Sequence, residues 1–450
     1  MKGHYMDQDK VTNNYTKAPL VLILMLGLLA LLTSANTAIF NVVINNVSTS
    51  LHITANVASW FVFGYSLFIG IGSMLYGKLA DNYNIRTLIL ISGIIANVGS
   101  LLGLIFHSFI PLLIARFLQA IGCSSFIVLA IVSVKQFINQ KWRPFGFSFI
   151  SAAIIIGVGI ASLVSGIMGQ YCGWQSLFTV MFISIIALIA VFFLMPKYNT
   201  FAHSTNKIDK VGTLLLFLAI LCLLLGINKN LLIIIGFVIF GLLFYFYDRK
   251  HPLPLVDFTL FKNIKYINNM MGGFTVNFIL CGTLLAFPII LKQLWHFQTL
   301  QAGLIMFIAA IFAMIASFST NQLIKYFSLP QISMMGLVLM LIGSIGLIIF
   351  IQHFLWISVV LVTLIFIGYS LGQYSFNTMV PLVLPNDQVG MGTGFYQLNN
   401  FIGVSIGPAV LSRLMTLPNG NRWGYVICTI LVGVVAIYFW HNMKNVKFNH

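Results

Sequence analysis

The sequence carries little charge, and negative charge is the scarcer of the two signs. Only 7% of the 450 residues are charged, and the seven acidic residues are all aspartates, since glutamate is absent. A soluble domain has about 25% charged residues, so a soluble fold is excluded. The rest is rich in apolar blocks of about 20 residues, each long enough to span a bilayer as a helix. We therefore predict an all-α transmembrane fold.

Side chains that could carry chemistry are few and scattered. Every aspartate falls in a tail, a loop or a helix end, and the five cysteines lie far apart, without Cys-x-x-Cys spacing. No paired carboxylates, histidine cluster or Ser/His/Asp set occurs at one membrane depth, which disfavours a membrane-embedded enzyme. We predict no catalytic residue, no metal and no cofactor, and we interpret the cysteines as packing residues.

Apolar blocks bounded by charges, Pro, Gly or Asn predict fourteen helices arranged 6 + 2 + 6. The predicted spans lie near 18–44, 56–76, 87–106, 111–134, 145–170 and 175–195, then 211–228 and 231–247, then 267–291, 300–323, 331–351, 355–380, 389–414 and 424–440. The predicted organisation is a cytoplasmic N-tail (1–17), a six-helix bundle (18–196), two linker helices with flanking cytoplasmic loops (197–265), a second six-helix bundle (266–441) and a cytoplasmic C-tail (442–450).

The net charge of +16 is concentrated in short connections between spans, so it sets topology and does not indicate a nucleic-acid partner. With the N-terminus inside, eighteen of the 23 Lys and Arg residues lie on the cytoplasmic side, four lie outside, and Arg116 lies within a helix. The positive-inside rule then predicts a multi-pass plasma-membrane protein with both termini cytoplasmic. We expect it to be a monomer in the lipid bilayer.

The segment GKLADNYNIR, residues 77–86, follows the second predicted span. Gly77 permits a tight turn, and Asp81 can cap a helix start or pair with a cation across the bundle. The segment resembles the loop motif of the major facilitator superfamily, although two of its positions hold Asn where that motif has a basic residue and a Gly. The resemblance implies a conformational-switch role for Gly77, Asp81 and Arg86. The alternative is a generic polar turn.

Two further segments resemble motifs of proton-coupled antiporters in this superfamily. In LLIARFLQAIGCSS (112–125), Arg116 and Gln119 stand in the expected places of the fourth-span motif. A buried Arg needs a partner or a watery cavity; the alternative is that it snorkels to the outer surface. In IIIGVGIASLVSGIMGQYCGW (154–174), the small residues of the fifth-span motif are kept and its Pro is not. We assign helix approach and switching there to Gly157, Gly159 and Gly166.

Nearly the whole chain resembles the 14-helix drug:proton antiporter branch, which includes tetracycline, quinolone and multidrug exporters. The resemblance implies two six-helix bundles that alternate access around a midplane cavity. The predicted substrate-binding residues are Asn36, Asn41, Tyr65, Arg116, Gln119, Asn269, Asn277, Tyr369, Gln373, Asn377, Tyr396, Gln397 and Asn400. For each amide the alternative is an interhelical hydrogen bond, worth about 0.6 kcal/mol on average.

The chain departs from this branch at Asn36, which occupies the place of an Asp in many members. Asn cannot titrate, so no intramembrane carboxylate is available to carry a proton. Coupling could pass through Asp81, Asp257 or Asp387 at the cytoplasmic rim, or the driving force could be the substrate gradient or the membrane potential. Without a carboxylate, Arg116 favours neutral, zwitterionic or anionic compounds, such as tetracycline-like or fluoroquinolone-like zwitterions.

We therefore expect a transporter that exports amphipathic drugs or related small molecules by alternating access, coupled to protons. One alternative on the same fold is a monovalent cation:proton exchanger or an organic-anion permease. An alternative of another class is a non-transporting membrane receptor or a lipid flippase. The expected partners are an amphipathic small molecule, protons or monovalent cations, and the lipid bilayer.

Overall fold

The computed structural model describes most of the chain. The described residues are 18–40, 43–53, 55–58, 60–195, 209–228, 231–250, 258–297, 299–385, 388–415 and 420–444. Every regular element in these ranges is a helix, which confirms the all-α prediction. Eleven of the helices are long and apolar enough to cross a bilayer. The predicted site residue Asn41 and the rim carboxylates Asp257 and Asp387 lie outside the described residues.

Six helices form the first part of the structure. They are α1 (Pro19–Ala38), α2 (Trp60–Asn82), α3 (Ile85–Ile105), α4 (Phe109–Phe137), α5 (Arg143–Tyr171) and α6 (Ser184–Leu194), the last preceded by a 3-10 helix (Trp174–Ile183). The first span is shorter than predicted, because α1 ends at Ala38 and a separate short helix, Ile44–Ser50, follows. The second is longer, because α2 continues through GKLAD to Asn82.

Eight more helices complete the described fold. They are α7 (Lys210–Asn228), α8 (Ile234–Lys250), α9 (Ile264–Trp295), α10 (Thr299–Leu323), α11 (Leu329–Phe350), α12 (Leu355–Val383), α13 (Val389–Leu414) and α14 (Gly420–Lys444). The fourteen predicted helices are therefore all present. Helices α1 to α6 pack mainly on one another, as do α9 to α14, and α7 pairs with α8.

Polar residues at the span boundaries begin several of these helices. Asn84 precedes α3, and its side-chain oxygen accepts a hydrogen bond from Thr87 N (3.4 Å). Asn263 does the same for α9, accepting from Lys265 N (3.0 Å) and Tyr266 N (3.4 Å). Each amide satisfies N–H groups that the first helical turn leaves without an intrahelical partner.

The two six-helix groups meet chiefly through α2 with α13 and α5 with α10. The sequence predicts a tight turn at Gly77. This prediction is wrong, because Gly77 lies inside α2. A Cβ at Gly77 would stand 2.3 Å from Gly390 O and 2.7 Å from Gly394 Cα, so the absent side chain lets the backbones of α2 and α13 touch. We call the bundle end that carries the α2–α3 and α12–α13 connections the loop-motif face.

Three polar contacts join the two groups at the loop-motif face. Asp81 caps the start of α13: its Oδ1 and Oδ2 each accept a hydrogen bond, from Gly390 N and Met391 N, both at 2.7 Å. Lys135 Nζ, near the end of α4, donates to the backbone oxygen of Pro381 in the last turn of α12. The charges suit the helix dipoles, with an anion at an N-terminus and a cation at a C-terminus. Ser317 Oγ of α10 completes the closure by donating to Ser148 O of α5 (3.0 Å).

Helices α7 and α8 cover the seam between α2 and α13. Apolar side chains from all four helices, including Met74, Ile220, Phe244 and Leu398, form one buried cluster there. At the loop-motif face, Asp209 begins α7 by accepting from Gly212 N (3.0 Å) and from Tyr247 Oη of α8 (3.2 Å). The ammonium of Lys78 in α2 interacts electrostatically with Asp81, Asp209 and Asp248. The linker pair therefore contacts both helix groups.

Candidate functional site

Arg116 is the centre of the polar site in the first helix group. It lies about two turns inside α4 and is 0% exposed, so it does not snorkel to a surface. Its guanidinium donates four hydrogen bonds: Nη1 to Asn36 Oδ1 (2.7 Å) and Gln119 Oε1 (2.9 Å), Nη2 to Asn36 O (2.8 Å), and Nε to Phe61 O (3.3 Å). All of the acceptors are neutral.

The early end of α1 explains why Asn36 O can accept from Arg116. The last four carbonyls of a helix have no intrahelical partner, and Asn36 is two residues before Ala38, the last residue of α1. These carbonyls also carry the negative end of the helix dipole. A first span that ran to residue 44 would have used this carbonyl internally. The positive charge of Arg116 is therefore stabilised by the dipoles of amide and carbonyl groups, because no carboxylate is present at residue 36.

Two aromatic rings enclose the same guanidinium. Its central carbon lies 3.9 Å from the ring centroid of Tyr65 in α2 and 4.3 Å from that of Phe40 after α1. Cation–π contacts of this kind are worth about 2 kcal/mol when they are desolvated. Tyr65 is a predicted site residue and Phe40 is not. The chain has 40 phenylalanines, and no sequence signal marks Phe40 among them.

A second layer of hydrogen bonds holds the ligands of Arg116. Gln119 Nε2 donates to Ser100 Oγ of α3 (2.7 Å), and Ser100 Oγ donates to Ala96 O (3.1 Å). On the other side, Asn36 Nδ2 faces two sulfurs, Cys123 Sγ at 4.0 Å and Met181 Sδ at 3.8 Å. Ser100 was not predicted, since a lone Ser in an apolar span carries no pattern. The orientation of both amides is therefore fixed by the bundle.

The second helix group holds two chains of amides and hydroxyls. In one, Asn277 Nδ2 donates to Gly273 O (2.8 Å) and Gln373 Oε1 (3.2 Å), and Tyr369 Oη donates to Asn277 Oδ1 (3.4 Å). In the other, Gln397 Nε2 donates to Asn377 Oδ1 and Asn400 Nδ2 donates to Gln397 Oε1, both at 3.4 Å. Asn269 is also buried, at 2% exposure, and takes no part in either chain.

Several polar atoms of the second group have no partner among the residues that the structure describes. Asn377 Nδ2, Asn400 Oδ1 and Tyr396 Oη are buried there without a hydrogen bond. Tyr396 and Asn400 both border Gly273, where a Cβ would stand 2.5 Å from Tyr396 Cε2 and from Asn400 Oδ1. A buried donor or acceptor without a partner costs about 1–3 kcal/mol. A ligand that reached these atoms would recover that cost.

The predicted switch glycines of α5 differ in what they face. A Cβ at Gly157 would stand 2.4 Å from Leu31 O, so this glycine lets α5 approach α1. A Cβ at Gly159 would stand 2.9 Å from Ala310 Cβ, so it lets α5 approach α10 of the other group. Gly166 has no atom within 4 Å of that position. The predicted close approach is therefore wrong for Gly166, which is exposed near the end of the helix.

Arg86 lies in the first turn of α3 and points away from the interface between the groups. Its guanidinium carbon is 4.6 Å from the ring centroid of Phe192 in α6, so its described contact is inside its own group. Among the described residues, no group of three or more His, Cys, Asp or Glu side chains could hold a metal. The site therefore offers one cation, several amides and aromatic rings, which suits noncovalent binding of a polar and aromatic molecule.

Comparisons with known proteins agree with this architecture. The sequence profile of the Major Facilitator Superfamily matches residues 26–408 and 269–447 of the chain. The quinolone resistance protein NorB of Staphylococcus aureus strain MRSA252 is 27% identical over 388 residues, which cover 82% of this chain and 80% of that protein. The NorB protein of strain MW2 is 26% identical over 387 residues, with the same coverage.

Two solved structures share the fold. The human organic anion transporter MFSD10 (TETRAN) superposes with a TM-score of 0.71 at 14% sequence identity, covering 94% of this chain and 99% of that chain. The proton:xylose symporter XylE, bound to 6-bromo-6-deoxy-D-glucose, superposes with a TM-score of 0.71 at 16% identity, covering 95% of this chain and 96% of that chain. At such identities the likeness concerns the fold alone.

Proposed function

Because the chain belongs to the Major Facilitator Superfamily, we propose that it exports amphipathic drugs or related small molecules across the plasma membrane by alternating access. Its likeness to proteins named for quinolone resistance supports the choice of drugs as substrates. The moving units are the two six-helix groups, 18–196 and 266–441, with the linker helices between them. The loop-motif face is the cytoplasmic one, as the distribution of Lys and Arg favours.

The observation that carries the substrate class is the fully buried Arg116 with only neutral acceptors. A cation inside the membrane is stabilised by any anion that reaches it, because the surrounding dielectric is low. We therefore assign the protein zwitterionic or anionic substrates, with the carboxylate directed to Arg116. Tyr65 and Phe40 add flat apolar surface beside the guanidinium, which suits an aromatic ring system.

The second helix group supplies the neutral half of the site. The free atoms of Asn377 and Asn400 accept or donate hydrogen bonds without fixing the charge of the ligand. Bonds of 3.2–3.4 Å between the amides are weak enough to exchange for bonds to a substrate. The proposed division of roles is that Arg116 selects the charge, while the amides accommodate varied scaffolds.

Alternating access requires that the closure at the loop-motif face can open. Asp81 is the proposed coupling carboxylate, because its two oxygens bind the N–H groups that begin α13. Protonation of Asp81 would remove the charge that holds this helix end. Lys78 on the same helix interacts electrostatically with Asp81, and also with Asp209 and Asp248 of the linker pair. Asp81→Asn would then uncouple transport from the pH gradient while the fold is kept.

A second candidate is an organic-anion permease on the same fold. The observation that favours it is again Arg116, since an uptake protein for anions would also need a buried cation without a carboxylate. The two functions differ in direction and driving force. An exporter moves substrate out of the cytoplasm against its gradient, whereas a permease of this kind equilibrates it or carries it inward.

The test is transport by the purified full-length protein in liposomes. A fluoroquinolone zwitterion, an aromatic carboxylate and an aromatic cation of similar size would be compared with and without a pH gradient. We expect the zwitterion and the anion to be moved faster than the cation, and Arg116→Gln to abolish that preference. Arg143→Gln is the matched control, because Arg143 lies at the start of α5 near the loop-motif face, away from the Arg116 cluster.

Three outcomes would contradict the proposal. A faster cation would overturn the substrate class. Movement of anions only down their gradient would favour the permease. Saturable binding of the zwitterion, with no movement of any compound by correctly inserted protein, would favour a receptor.

A further inference from the structure

A groove runs along the outside of the first helix group, between α3 and α6. It has a volume of about 520 Å³ and is lined almost entirely by apolar atoms. Its walls include Leu90, Ile94, Val98 and Leu101 of α3 and Ile185 and Phe192 of α6. It lies apart from Arg116, which is buried inside the bundle. An apolar groove on the outside of a membrane bundle is open to acyl chains.

Close packing and hydrogen bonds between α3 and α6 determine the shape of the groove. Below it, a Cβ at Gly93 would stand 2.4 Å from Leu188, so α3 and α6 touch closely at the groove floor. Asn97 Nδ2 donates to Gly93 O (2.8 Å) and to Ser184 Oγ of α6 (2.9 Å), which bridges the two helices. The floor and both walls are therefore held at fixed positions.

A cation stands at one end of the groove. Arg86, Leu90 and Ile94 are spaced four residues apart, so they share one face of α3, and Arg86 is the member at the loop-motif face. The guanidinium lies 4.6 Å from the ring of Phe192, which also lines the groove. From Arg86 to Leu101 the helix rises about 22 Å, longer than one hydrocarbon leaflet of about 15 Å.

We propose that this groove binds a single anionic phospholipid, with an acyl chain between α3 and α6 and the headgroup phosphate on Arg86. Charge complementarity selects this occupant: the groove, lined almost entirely by apolar atoms, ends in a cation at the membrane interface, where Arg can bind phosphate in a bidentate manner. The bound lipid would tie α3 to α6 and brace the first helix group during transport. Arg86 then serves lipid binding in place of the switch role predicted from the loop motif.

The test uses the purified full-length protein in mixed micelles that contain phosphatidylglycerol or phosphatidylcholine with identical acyl chains. Thermal unfolding and native mass spectrometry would report stabilisation and retained lipids. We expect phosphatidylglycerol to stabilise the protein more and to remain bound. Arg86→Gln should weaken this preference about tenfold in apparent affinity, and Arg86→Lys, which keeps the charge but loses the bidentate geometry, should weaken it less.

Groove occupancy is tested separately. Ile94→Trp fills the groove and should reduce retention of both lipids, whereas Ile345→Trp, at a comparably lipid-facing position of α11, should not. Equal stabilisation by the two lipids, or an unchanged preference in Arg86→Gln, would overturn the headgroup assignment. Unchanged retention in Ile94→Trp would overturn the acyl-chain site. Equal stabilisation by inorganic phosphate alone would show a free anion site and overturn the phospholipid.

Discussion

The polar centres of the two helix groups are built in opposite ways. Around Arg116, the guanidinium donates four directed hydrogen bonds of 2.7–3.3 Å, and two rings cover the cation. Around Asn277 and Gln397, most hydrogen bonds are longer, and three polar atoms have no partner among the described residues, against one, Tyr65 Oη, around Arg116. The first centre is preorganised and charged, while the second is adaptable and neutral. The proposed transport of varied scaffolds of one charge class needs both properties.

Removal of the cation should have the largest effect. Arg116→Met would leave Asn36 O, Asn36 Oδ1 and Gln119 Oε1 buried without donors, which we expect to destabilise the protein by about 3 kcal/mol. Thermal unfolding of the purified protein in detergent would measure the loss. Gln373→Met is the matched control in the second centre, where we expect less than about 1 kcal/mol. Equal losses in the two variants would remove the contrast between the centres.

The second largest effect should come from a methyl group added at the contact between the two helix groups. In Gly77→Ala the new Cβ would clash with Gly390 O, so the closed loop-motif face should lose about 1–3 kcal/mol relative to the open one. Distances between spin labels at Lys141 and Leu382 would report the shift toward longer separations. Gly166→Ala is the control, because its Cβ would enter open space. A closed population unchanged by Gly77→Ala would contradict the role of this contact.

Addition of a carboxylate should change selectivity more than stability. Asn36→Asp would pair directly with Arg116 and neutralise it, which we expect to shift the preference from zwitterionic toward cationic substrates about tenfold. Asn277→Asp introduces the same change in the second centre, where no Arg is in contact, and should not reproduce that pattern. Competition binding with matched zwitterions and cations would measure both variants. An unchanged ratio in Asn36→Asp would make Asn36 a packing residue.

The smallest effects should come from single amides of the second centre. Asn400→Ala removes one 3.4 Å hydrogen bond and one unpartnered oxygen, so we expect affinity to change about threefold or less, with different signs for different substrates. Dissociation constants for at least two scaffolds would test this. A uniform loss of tenfold or more would mean that the second centre is as rigid as the first.

The sequence predicted the helices well because each span is an apolar block between polar boundaries. The predicted helix bounds are wrong where the end of a helix depends on contacts with other helices. Hydropathy places the end of the first span at residue 44, but α1 stops at Ala38, and the carbonyl of Asn36 in its last turn accepts a hydrogen bond from Arg116. Likewise Gly77 and Asp81 are residue types that favour loops, yet α2 continues through both of them. It does so because α13 packs against Gly77 and because Asp81 caps the start of α13.

The residues of the polar cluster around Arg116 were easier to predict than the hydrogen bonds between them. Polar residues are conspicuous in apolar spans, so Asn36, Arg116 and Gln119 were all identified from the sequence. That Asn36 binds the guanidinium twice depends on how α1 and α4 pack, which spacing along the chain does not contain. Phe40 and Ser100 could not be predicted, because residues of these types occur throughout the spans.

The sulfur contacts of Asn36 provide an internal chemical reporter. Cys123 is fully buried and lies between the amide of Asn36 and the thioether of Met181. A maleimide can reach this thiol only when the centre of the first helix group opens to water. After exchange of the other four cysteines for Ser, the labelling rate of Cys123 would follow the opening of the proposed substrate site in real time and without an introduced probe.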